Sequence, residues 1–133
     1  MRLPLVLASM MLATPTLASA GLPIGGIFGN ESGCAFFMTG EVVTDDFMTL
    51  TPDTFTSYGT GCVFERMISV DGGVYTVAAT CSREGESGIT KDTVKVIDRD
   101  AEGFFIEFDG LEPWGPLLPC TGTEALFDRG VQV

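Results

Sequence analysis

The chain has 133 residues, with 7 basic against 18 acidic, no histidine and four cysteines, for a formal net charge of −11. That sign disfavours nucleic acid and anionic membranes, because phosphate contacts need clustered Lys and Arg. The missing histidine removes the usual neutral-pH base, and with it the commonest partner of cysteine in a zinc site.

Residues 1–20 read as a signal peptide: Arg2 gives a short positive start, Leu3 to Leu12 a mostly apolar run, and Ala18-Ser19-Ala20 a small-residue cleavage site. The run is shorter than the ~20 residues needed to span a bilayer. A soluble exported product starting at Gly21 is expected, with no membrane span after processing. Removing 20 of the 133 residues leaves 113, one domain able to bury about two thirds of its unfolded surface. Loss of Arg2 leaves six basic residues against eighteen acidic, a net charge of −12. Such a charge favours solubility and a monomer, and a cationic partner over an anionic one.

From Gly21 to Gly33, glycines surround Leu22, Ile24, Ile27 and Phe28, and no Gly-Lys-Ser/Thr follows, so this is no phosphate loop. It reads as a flexible leader that becomes a first strand near Ile27-Phe28. Cys34 to Met38 is too short to assign to helix or strand. Glu41 to Thr51 alternates loosely, Pro52-Asp53 turns the chain, and Thr54 to Tyr58 returns as a strand.

The clearest element is a hairpin from Cys62 to Cys81. Cys62, Phe64, Ile68 and Val70 alternate up to Asp71-Gly72-Gly73, and Tyr75, Val77, Ala79 and Cys81 resume the alternation. A loop at Asp71-Gly72 sets Cys62 opposite Cys81, and a loop at Gly72-Gly73 shifts each partner by two. Both choices keep Phe64, Ile68, Tyr75 and Val77 on the core face with the cysteines. Arg66 also has core parity, so its guanidinium is expected to pair with a carboxylate or to bind a ligand.

Glu84 to Gly88 is a polar loop and Thr90 to Ile97 a further strand. Asp98, Asp100, Glu102 and Gly103 share the spacing of a calcium loop. Apolar strands flank the run where helices should be, so a hairpin turn before a strand at Phe104 to Phe108 is expected instead. The prolines of Leu111 to Cys120 argue against a central strand. This stretch is expected to be a lid in which Trp114, Leu117 and Leu118 plug one end of a barrel and Cys120 anchors the plug. Thr121 to Val133 reads as a short tail held by Leu126 and Phe127.

Four cysteines in an exported chain imply two disulfides among Cys34, Cys62, Cys81 and Cys120. The register permits Cys62–Cys81 with Cys34–Cys120. The sequential pattern, Cys34–Cys62 with Cys81–Cys120, is the expectation, because a bridge across one hairpin needs the right Cβ separation and adds little to its turn.

The Gly-Ile-Phe-Gly start, the spaced single cysteines, the Leu-Thr-Pro strand end and the Cys-Ser-Arg-Glu-Gly-Glu run together resemble small four-cysteine periplasmic proteins of Gram-negative bacteria. In general build the chain is similar to periplasmic inhibitors of lysozymes or proteinases. The resemblance implies fold and compartment and carries over no binding residue.

The expected architecture is all-β: six to eight short strands in an antiparallel meander, closed as a disulfide-stapled barrel or sandwich. No catalytic residue, metal ligand or cofactor is assigned. The expected role is a periplasmic or secreted binding module, an inhibitor of a cationic protein, contacting it through Arg66, Glu84, Glu86, Asp98, Asp100, Glu102 and Trp114. The rival readings are a structural envelope protein and a carboxylate-dependent hydrolase.

Overall fold

The computed structural model describes residues 21–121. The expected signal peptide and the tail residues Leu126 and Phe127 lie outside the described residues. Eight antiparallel strands close into a barrel in which each strand pairs with its sequence neighbours and the last pairs with the first. They are β1 (Phe28–Gly29), β2 (Met48–Leu50), β3 (Thr54–Ser57), β4 (Thr60–Asp71), β5 (Val74–Arg83), β6 (Ile89–Asp98), β7 (Phe104–Phe108) and β8 (Trp114–Pro119). One helix, α1 (Glu31–Thr39), is inserted between β1 and β2. In such a meander the turns alternate between two ends. The upper end holds the β3–β4, β5–β6 and β7–β8 turns, and the lower end holds the β2–β3, β4–β5 and β6–β7 turns.

Alternate residues point inward, and those of β2 to β8 meet in one cluster around Leu50, Phe55, Phe64, Val77, Val94 and Ile106. Each such side chain contributes about 1.5–3 kcal/mol on burial. The barrel interior is therefore a packed core. Gly21 to Ile27, expected as a flexible leader, instead closes the lower end. Leu22 and Ile24 join the core cluster, and the Leu22 N–H donates to the Pro52 carbonyl at 2.7 Å.

The β4–β5 hairpin turns at Gly72-Gly73, whose φ values of 56° and 80° fit a primed two-residue turn. An unbroken ladder from that turn would set Cys62 opposite Arg83. Glu65 and Ile68 each bulge out of β4, and these two extra residues bring Cys62 opposite Cys81. The bulges also overturn part of the expected core face. Arg66 lies opposite outward-facing Ala78 and is exposed, Ile68 is 46% exposed, and Met67 takes the inward position against the core. Beyond Val63 no described strand pairs with the outer edge of β4, and both bulges fall on that stretch. Irregular edges of this kind resist pairing with another chain.

The disulfides are Cys62–Cys81 and Cys34–Cys120, with Cα separations of 4.1 and 5.3 Å. The sequential pairing is thus incorrect. The bulges place Cys62 and Cys81 directly across the hairpin, and α1 carries Cys34 to the end of β8. The proline-rich segment is also a strand rather than a lid. Pro113 precedes the strand, and the two prolines within it are tolerated because each sits where a neighbour has ended: Pro116 lies above the last β1 partner, Gly29 opposite Leu118, and Pro119 below the last β7 partner, Phe104 opposite Leu117. Leu117 is fully buried and Trp114 packs against the core, while Leu118 is exposed.

Candidate functional site

The seven residues expected to bind a partner divide among three places. Glu84 and Glu86 stand on the β5–β6 turn at the upper end, and Trp114 opens β8 at the same end. Asp98, Asp100 and Glu102 belong to the β6–β7 turn at the lower end. There the Asp98 carboxylate accepts the Asp100 N–H at 2.9 Å, and the Arg99 guanidinium lies 4.1 Å from the centre of the Phe105 ring. That run is a hairpin turn between two strands. Arg66 is on the outer wall of β4, away from either rim. Among the described residues, no three Cys, Asp or Glu side chains are gathered as a metal site would require.

The upper end has a polar group that the expectations missed. Ala79 and Cys81 face the core, so their partners on β6, Asp92 and Thr90, face inward as well, and Arg83 continues the same parity two residues beyond Cys81. Arg83 Nη1 donates to Thr90 Oγ1 at 2.8 Å and to Asp92 Oδ2 at 3.1 Å, and the guanidinium lies 5.6 Å from the centre of the Phe108 ring. The signal was present in the alternation of Tyr75, Val77, Ala79 and Cys81, which reaches Arg83 without a break. The Thr90 hydroxyl, and after it Arg83, hold the Asp92 carboxyl below the usual carboxylate range despite its partial desolvation.

A depressed carboxylate contributes stability above its unfolded pKa, near 3.9, and loses it as pH falls through the folded value. Asp92→Asn is therefore expected to cost about 1 kcal/mol at pH 7, the range for a partly exposed charge-assisted bond. The same variant should flatten the acid limb of a stability curve below about pH 4. Thermal melts from pH 7 to 2 check this. An unchanged acid limb would remove Asp92 as a source of acid sensitivity.

The connection from β1 to β2 builds the other side of the upper end. Asn30 caps α1, its Oδ1 accepting the Gly33 N–H at 2.8 Å. The same oxygen accepts the Met48 N–H at 2.9 Å, and Nδ2 donates to the Asp46 carbonyl. One side chain thus starts the helix and extends the ladder along the edge of β2. Asp46 Oδ1 accepts the hydroxyls of Thr44 and Ser32, which hold its carboxyl below the usual range. Phe36 stacks on Phe47, whose ring meets Tyr58 edge-on, and Trp114 packs beside Phe108 and Phe55. Asn30, Glu31, Asp45 and Asp46 had no sequence signal beyond polarity, because their grouping depends on where α1 docks.

These features define a small disulfide-bonded, closed antiparallel β-barrel with one acidic and aromatic end. No protein-family model matches the chain, and no curated protein or solved structure is significantly similar to it.

Proposed function

We propose that the protein is an exported binding module of the periplasm or extracellular space that engages, and by doing so inhibits, a cationic protein. One observation carries this reading. The upper end exposes Glu84, Glu86, Asp109 and Glu112 among the apolar side chains of Tyr58, Ile89 and Leu111, and the cations near it, Arg83 and Lys91, are engaged by Asp92 and Glu65. Exposed apolar side chains within a field of one sign suit a partner of the opposite charge. The filled barrel interior directs recognition to the outer surface, and two disulfides suit an oxidising compartment.

Calorimetric titration with purified basic proteins, lysozymes and basic proteinases among them, and with acidic proteins as controls, tests the reading. At least one basic protein is expected to bind saturably at about 50 mM salt. Its affinity should fall about tenfold or more by 0.5 M, because exposed charges are screened beyond a Debye length of ~10 Å at 0.1 M. Absence of saturable binding to any basic protein, or an affinity indifferent to salt, would overturn the proposal.

A further inference from the structure

β1 ends at Gly29, opposite Thr49 on β2 and Leu118 on β8, and the chain then turns away into α1. Above that level no described strand lies between β2 and β8. Asn30 fills the edge of β2 there, and Gly115 and Pro116 of β8 line a groove where a longer β1 would lie. This groove, of about 580 Å³, has Met48, Pro116 and Leu118 among its apolar lining and Glu31 and Asp46 among its polar lining. It shares Asp46, Met48 and Gly115 with a second depression of about 380 Å³ that adds Asp45, Tyr58 and Trp114. Neither is lined by a lysine or an arginine.

We infer that this groove beside β8 receives an extended, basic segment of the partner protein, with a lysine or arginine side chain lying over Met48 and Trp114. The inference rests on the reading of the protein as a binder of cationic proteins and assigns the surface that does the binding. Three features select this occupant. The groove takes the place of an absent strand and so fits an extended segment, held by side chains because Pro116 offers no N–H on that edge. Lys and Arg side chains pair an aliphatic stem with a charged head, which matches an apolar floor of Met48 and Leu118 bordered by Glu31, Asp45 and Asp46. The exposed Tyr58 ring and the partly buried Trp114 ring, both lining the second depression, add attraction for a cation. Asp46 takes both of its hydroxyl partners on Oδ1, so Oδ2 is engaged by neither.

Trp114 is the only tryptophan of the chain, so its emission reports on the groove. The probes are two tryptophan-free decapeptides, one alternating Lys with Val and the other Glu with Val. The basic peptide is expected to change Trp114 emission saturably at low salt, and the acidic one to leave it unchanged. The double variant Glu31→Gln/Asp45→Asn should weaken the basic peptide about fivefold or more, as expected for two exposed ion pairs, whereas Asp53→Asn/Asp71→Asn, exposed at the lower end, should change it less than twofold. Both variants alter exposed residues, and melting curves establish that they fold. Failure of the basic peptide to bind, or a larger loss in the Asp53/Asp71 variant, would overturn the groove. If basic proteins still bind the native chain calorimetrically in that case, the proposed function stands without it; if they also fail to bind, both fall.

Discussion

Replacing Cys34 and Cys120 together with alanine is expected to remove about 4–5 kcal/mol of stability, the chain-entropy value for a closure spanning 86 residues. A typical domain has only about 5–15 kcal/mol in total, so the variant should sit at the edge of folding at room temperature. The position of the bridge makes the loss plausible for reasons beyond chain entropy. Barrel closure relies on β1, which has two residues and meets β8 only at Phe28 opposite Pro119 and Gly29 opposite Leu118. Proline brings no N–H to that joint. Cys34 ties α1 to the residue after β8, next to the point where the Cys120 N–H donates to the Ile27 carbonyl, and so latches this two-residue joint of the barrel. The corresponding change at Cys62 and Cys81 spans 19 residues and is expected to cost about 3 kcal/mol from closure alone. The Gly72-Gly73 turn and a long ladder hold that hairpin together without it. Urea unfolding of the two double variants measures the difference, and non-reducing peptide mapping verifies the connectivity. A loss below about 1 kcal/mol for the Cys34/Cys120 variant would show that the joint closes without its latch.

What could be read from the residues depended on whether the relevant interactions were local. Strand positions from Met48 to Phe108 followed from alternation and turn residues, both of which act over a few residues, although the loose alternation read from Glu41 holds only over Met48–Leu50, and the all-β barrel follows from their number and spacing. The bulges at Glu65 and Ile68 were not legible, since nothing local to either residue requires an extra position; the requirement comes from aligning Cys62 with Cys81 nineteen residues away. From that single miss came the burial assigned to Arg66 and the core position assigned to Ile68. The β8 assignment failed for a related reason. Prolines exclude a strand only where both neighbours need its N–H groups, and the early ends of β1 and β7 could not be known before the barrel was assembled. At the candidate site, Glu84 and Glu86 lie on an exposed turn as read, whereas Trp114, read as part of a lid, opens a strand and packs against the core. Their separation from Asp98, Asp100 and Glu102 was already implied by the alternation of turns in a meander. The contribution of Glu31, Asp45 and Asp46 was not, because it arises from the docking of α1.

The docking of α1 is expected to fail on adding a single carbon atom at Gly33. A Cβ at that position would lie 1.8 Å from the Met48 carbonyl oxygen and 2.6 Å from its carbon. Backbone rather than a pliable side chain is in the way, so the helix itself must move. Gly33→Ala should then cost about 3 kcal/mol or more, at the upper end of overpacking effects, because the shift also breaks the bonds of Asn30 and the one from Thr49 Oγ1 to the Gly33 carbonyl. Asn30→Ala attacks the same joint from its polar side. It removes the cap on Gly33 and the bonds to Met48 and Asp46, for an expected loss of about 2–4 kcal/mol. Gly40→Ala is the control. Gly40 ends the same helix at φ 75° with open space around it, so only backbone strain of about 1–2 kcal/mol is expected. Urea unfolding ranks the three variants, and near-ultraviolet circular dichroism of the Phe36–Phe47–Tyr58 stack reports whether α1 has left β2. Loss of the Asn30 and Gly33 contacts would also open the bank of the groove that holds Glu31 and Asp46, so basic-peptide binding should decline in step with the dichroism signal. A Gly33→Ala variant no less stable than Gly40→Ala would mean that the approach of α1 to β2 is not the close contact on which this side of the barrel depends.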